Sequence, residues 1–216
     1  MLNKSLKLHA YDIIKEKIVS CEYKPGTLLS EEVLQKDIAT SRTPIRDALG
    51  RLDNEGLITI LPKKGILVSP LTLESIGSIF EVRLLLEPYA LENYGQLIPV
   101  EEIQNFLDTF SQPIENLKDE WQALDDAFHA MITGAMPNHF LRQTYDSIQI
   151  QNLRFRSITA QHNLQHPMQT LTEHRAILRA WLDKDIEAAA QHLREHIIAA
   201  KKRILELLIN SPSISL

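Results

Sequence analysis

The chain has 216 residues, a formal net charge of −5, 8 histidines and a single cysteine, Cys21. That length allows two domains, and the lone cysteine excludes an internal disulfide or a cysteine-based metal knuckle. No signal sequence and no run of about eighteen apolar residues is present, so the expected location is cytoplasmic, with no membrane partner.

Charge is unevenly spread. Residues 1–72 hold 11 Lys and Arg against 9 Asp and Glu, net +2, whereas 73–216 hold 12 against 19, net −7. An acidic chain can still bind DNA when its cations are gathered on one small module, because affinity comes from local phosphate neutralisation.

Taken in chain order, Leu6, Ile13, Ile14 and Ile18 predict a first helix over 6–20. Lys24-Pro25-Gly26 breaks it. Ser30 followed by Glu31, Glu32 and Val33 reads as a capped start of a short helix to Ile38. Thr43 is the expected N-cap and Pro44 the first position of a third helix, whose stripe is Ile45, Ala48, Leu49 and Leu52, with Gly56 ending it. Only a tight turn fits between these two helices, which is helix-turn-helix spacing. Arg42 and Arg46 fall at the start of the third helix, off its apolar stripe. Two β-branched runs, 57–61 and 66–69, flank Pro62-Lys63-Lys64-Gly65 and predict a hairpin with a basic tip.

The ordered set Pro25-Gly26, Leu29-Ser30-Glu31, Ser41-Arg42-Thr43-Pro44-Ile45-Arg46-Asp47-Ala48-Leu49, Leu52, Glu55-Gly56-Leu57 and Lys64-Gly65 resembles the winged helix-turn-helix of GntR-family bacterial transcription regulators. The resemblance implies that Arg42, Thr43 and Arg46 contact bases and phosphates, supported by Ser41 and by Lys63, Lys64 and Gly65 of the wing. A family Gly-Val is replaced here by Ala39-Thr40. If the turn needs a left-handed residue at Ala39, the cost is roughly 1–2 kcal/mol.

From Leu71 onward the apolar residues recur every three or four positions and no strand pattern appears. Helices are expected near 72–95, 99–110, 117–135, 138–158, 169–182 and 186–209, the first of them kinked or split at Pro88. The expected fold is therefore mostly α: a winged helix-turn-helix with a small β-hairpin wing over 1–72, and an all-α antiparallel helical bundle over 73–216.

Asp125 and His129 are i,i+4 on one predicted helix. His174 and His196 lie on two helices joined near Lys184, about 15 and 18 Å from that pivot, and so face each other at one level of an antiparallel hairpin. His192 competes with His196, but His196 lies nearer the apolar stripe of its helix. Three imidazoles and a carboxylate from three helices suit a divalent ion, zinc foremost, with nickel, manganese or iron as alternatives.

Asp125-x-x-Phe128-His129, Glu173-His174-Arg175-x-Ile177 and His192-Leu193-Arg194-x-His196 resemble the marks of the FCD domain of the FadR-type branch. Glu81-x-Arg83 and Glu87 also fit that branch. The resemblance implies a metal held by Asp125, His129, His174 and His196 at the base of an effector cavity. Arg83, Arg154 and Arg156 are candidates for receiving an effector carboxylate, since a guanidinium binds one bidentately. The expectation is a homodimeric regulator, not an enzyme, whose binding to a double-stranded operator responds to a small metabolite. A metal-dependent hydrolase using the Asp/His set, and a regulator with a purely structural metal, are the rival readings.

Overall fold

The computed structural model describes residues 2–117, 120–161 and 167–210. These carry nine helices and one three-stranded sheet, and they divide into two compact units. One unit holds the residues up to Ser75 together with Gln149 to Gln161, and the other holds Ile76–Ile148 with 167–210. The first unit is therefore not a continuous stretch of sequence.

In the first unit, α1 (Leu2–Val19) buries Ala10, Tyr11, Ile14 and Ile18 along one face. After β1 (Leu28–Leu29), α2 (Glu31–Asp37) begins where the Ser30 hydroxyl accepts the Val33 N–H at 3.2 Å. The turn to α3 (Arg42–Asn54) places Ala39 at φ +49, the left-handed position its sequence context raised. The cap of α3 is Ser41 and not Thr43, so Pro44 is the third helical residue. Pro44 is tolerated there because first-turn N–H groups have no intrahelical acceptor. Pro44, Ile45, Ala48, Leu49 and Leu52 are its buried stripe. The helix closes in a Schellman pair, with Gly56 at φ +69 donating to Asp53 O and Leu57 N–H donating to Leu52 O, each at 3.0 Å.

The wing is β2 (Ile58–Leu61) and β3 (Gly65–Val68), antiparallel, with Ile60 opposite Ile66. Two-residue β1 pairs with the other edge of β3, giving the order β1-β3-β2. Gly65 sits at φ +128, and a Cβ there would lie 2.5 Å from the Leu29 carbonyl oxygen. Glycine is required both by its backbone and by that close approach.

The second unit begins within α4 (Leu73–Tyr94), which runs unbroken through Pro88. The proline has no N–H to offer the Leu84 carbonyl but does not split the helix. Thr72 and Ser75 cap its start reciprocally, the Ser75 N–H donating to Thr72 Oγ1 at 3.1 Å and the Thr72 N–H to Ser75 Oγ at 2.8 Å. Next come α5 (Val100–Phe110), α6 (Trp121–Gly134), α7 (His139–Gln161), α8 (Pro167–Leu182) and α9 (Ile186–Asn210). The expected start of α6 at 117 is displaced to Trp121, residues 118 and 119 lying outside the described set. The turn joining α8 to α9 holds Lys184 at φ +65, and Asp185 Oδ1 accepts the Ala188 N–H at 3.0 Å. Phe106, Phe110, Trp121 and Phe128 form an aromatic cluster between α5 and α6.

Candidate metal centre and nucleic-acid interface

In the first unit, the opening turn of α3 presents Ser41, Arg42 and Thr43 to solvent. One turn on, the Arg46 side chain is 67% exposed, and its Nε donates to Glu31 Oε1 on α2 at 2.9 Å. Arg46, Glu31, Lys63, Lys64 and Gly65 line one depression of about 510 Å³ between α3 and the wing. Helix start and wing tip thus flank a concave basic face.

In the second unit, His129 on α6, His174 on α8 and His196 on α9 are all buried, and one nitrogen of each lies within 4.8 Å of the others. His129 Nε2 and His196 Nε2 are 3.3 Å apart. Asp125, one turn before His129, places Oδ1 3.4 Å from His174 Nε2. The His174 ring is packed against Phe110 and Phe128, with centroids at 5.0 and 4.5 Å, and stacks on Trp121 at 6.1 Å. His192 lies outside the cluster, 43% exposed and 3.7 Å from Glu195.

Two carboxylates fix the rings. Glu87 of α4, fully buried, accepts from His129 Nδ1 at 2.7 Å, from Tyr145 Oη at 2.9 Å and from Arg83 Nε at 2.6 Å. Burial pushes its carboxyl up, but Arg83 and then His129 outweigh this and hold it below the ordinary carboxylate range. Glu173 accepts from His196 Nδ1 at 2.8 Å and is clamped bidentately by Arg203 at 2.7 and 2.8 Å. Burial raises the Glu173 carboxyl, yet the Arg203 and His196 bonds bring it down to about 2. Burial also lowers the His196 imidazole, with Glu173 offsetting part of that. An ionised carboxylate only accepts, so each ring places its Nδ1–H on a carboxylate, which leaves Nε2 as the atom available for ligation. An ion bound with metal–nitrogen distances of about 2.0–2.1 Å in tetrahedral geometry sets its ligand nitrogens roughly 3.3 Å apart. The His129–His196 pair has that spacing, and with His174 within 4.8 Å the three imidazoles could hold a divalent cation.

The three arginines assigned to the effector part company. Arg83 adjoins the cluster, its Nη2 lying 3.3 Å from His129 Nε2. Arg154 belongs to the first unit, where it is buried and donates to Ser69 O at 2.5 Å and to Gln151 Oε1 at 2.7 Å. Arg156 falls in the same stretch of α7. Arg154 is thus engaged within the first unit, where this stretch of α7 packs with the winged helix. The positioning roles of Glu87 and Tyr145 were not read from the sequence, since a glutamate 42 residues from its histidine leaves no local signal. Arg203 was findable, being two turns beyond His196 on one helix face.

Residues 6–68 match the model for bacterial regulatory proteins of the gntR family, and residues 78–199 match the FCD domain. The HTH-type transcriptional regulator YdhC of Bacillus subtilis (strain 168) is 28% identical over 196 residues, spanning 88% of this chain and 86% of its own. The gluconate operon transcriptional repressor of the same organism is 25% identical over 213 residues, 93% of this chain and 85% of its own. The crystal structure of a GntR transcriptional regulator from Rhodococcus sp. RHA1 shares the fold with a TM-score of 0.76 at 20% identity, covering 94% of this chain and 98% of that one. These relatives are regulators, which sets the hydrolase reading aside. A winged helix-turn-helix followed by this histidine-bearing helical domain makes the chain a member of the GntR family of bacterial transcription regulators, in the group that carries an FCD domain.

Proposed function

We propose that this regulator binds a two-fold operator as a homodimer in the cytoplasm, and that a small carboxylate metabolite bound at a metal centre modulates that binding. Arg42, Thr43 and Arg46 read bases and phosphates, with Ser41, Lys63, Lys64 and Gly65 supporting them at the backbone. Asp125, His129, His174 and His196 hold the ion, for which zinc is the first choice given three imidazoles and one carboxylate. With those four ligands in place, such an ion would take an anionic ligand by expanding its coordination to five or six. Arg83 supplies the second charge for a carboxylate, and Glu87 holds the Arg83 guanidinium and the His129 ring together.

The observation that carries this reading is the convergence of three buried imidazoles, two of them locked by carboxylates, in a chain that also bears a DNA-reading module. An effector acts only through its different affinities for two arrangements of the protein.

The test has two arms. Metal analysis of protein purified without chelator is expected to find close to one divalent ion per chain, lost in the His174→Ala variant. Fluorescence anisotropy with a duplex selected by the wild-type chain from a random pool is expected to lose at least tenfold in affinity with Arg46→Ala. An unchanged affinity would remove the recognition-helix assignment. Absence of metal, with no change in melting temperature on chelation, would remove the centre.

A further inference from the structure

We propose that Glu31 is a positioning residue for base recognition, holding Arg46 by its Nε so that the Nη1/Nη2 edge is the one offered to DNA. This rests on the assignment of Arg46 to base contact made above.

An arginine reads a guanine with two parallel N–H donors, and its guanidinium can present two different pairs: Nε with Nη2 from the side, or Nη1 with Nη2 from the end. On an exposed helix turn a free side chain samples both, and it also swings to neighbouring phosphates. Here Arg46 Nε is engaged by Glu31 Oε1 at 2.9 Å. The side-on pair is thereby used up, and the end-on pair remains. Glu31 is itself well placed, as the first residue of α2 behind the Ser30 cap and only 31% exposed at its side chain. Both residues line the depression that continues to Lys63, Lys64 and Gly65 of the wing.

The carboxylate also acts on choice of partner. For Arg46 to move onto a phosphate, its bond to Glu31 must break, and the carboxylate then faces the backbone unpaired. Contact with a guanine edge by the end-on pair leaves that bond intact. Glu31 therefore penalises the sequence-independent use of Arg46 more than the sequence-specific one, which is how a negative charge inside a DNA-binding face raises discrimination.

The experiment uses the full chain and the duplex it selects from a random pool, scanned by replacing each base pair singly, with a scrambled duplex as the non-specific reference. Arg46→Ala first identifies the pair that Arg46 reads. Glu31→Gln is expected to relax discrimination at that same pair, roughly tenfold, with other pairs unaffected and scrambled-duplex affinity unchanged or raised. Glu31→Asp, which keeps the charge but is one methylene shorter, is expected to relax the same pair. The proposal is overturned if Glu31→Gln leaves that pair as selective as in the wild type. It is equally overturned if the variant weakens every duplex alike in step with a lower melting temperature, the mark of a simple staple between α2 and α3. If Arg46→Ala relaxes no pair, the assignment of Arg46 fails and the role of Glu31 goes with it.

Discussion

Glu173 does two things at once: it accepts a hydrogen bond from His196 Nδ1 and is held in place by both terminal guanidinium nitrogens of Arg203. Replacing it by glutamine keeps the shape but lets the amide donate as well as accept, so the tautomer of His196 is no longer fixed. Zinc affinity, measured by competition with a chromophoric chelator, is expected to fall about 10–100-fold in Glu173→Gln. A second residue-level prediction concerns pH. Burial raises the Glu55 carboxyl, but bonds from Lys15 at 2.8 Å and Tyr11 at 2.5 Å more than reverse this and leave it lower than in an unfolded chain. A carboxyl lowered on folding stabilises above its unfolded value, and that contribution disappears as pH falls through the folded one. The Tm of the wild type is therefore expected to drop more steeply than that of Glu55→Gln below about pH 4.5.

At the level of elements, the α2–α3 turn carries a residue that its conformation does not favour. Ala39 adopts φ +49, where a Cβ crowds the carbonyl oxygen and costs roughly 1–2 kcal/mol. Ala39→Gly is expected to stabilise the chain by about 0.5–1 kcal/mol, seen as a shift in the urea midpoint, because the relief exceeds the added freedom of the unfolded state. The helices were legible in the sequence because long 3.6-residue apolar patterns leave little choice, as in α3, where the stripe from Ile45 to Leu52 is the buried face observed. β1 was not legible: two residues carry no period, and their pairing with β3 depends on a segment nearly forty positions away. The exact cap of α3 was missed because Ser41 and Thr43 are both acceptable caps and proline is tolerated anywhere in a first turn. The histidines could be read by spacing along helices, whereas Glu87 lies on a different helix and only three-dimensional packing brings it to His129.

At the level of the whole molecule, α7 belongs to both units. Tyr145, in its first part, bonds to Glu87, the carboxylate that fixes His129. Its last part contributes Ile150 to the core of the winged helix, while Gln151 donates to the Gly56 carbonyl at 3.4 Å and Arg154 to Ser69. Arg154 is a candidate for an effector carboxylate by its guanidinium alone, and its bonds to Ser69 and Gln151 within the first unit come from packing that linear order does not carry. A fragment of residues 1–75 therefore lacks part of its own core, and by circular dichroism it is expected to melt at a lower temperature than the corresponding transition of the intact chain.

That shared helix also bears on how such regulators can be recombined. A sensor swap that cuts at the junction between wing and α4 would take away residues 149–161 and hand the DNA reader a foreign surface where Ile150 and Arg154 belong. A working hybrid has to graft those positions back, so the heritable module is a discontinuous one, and exchanging effectors between relatives is constrained by a helix that lies far downstream of the DNA-reading sequence.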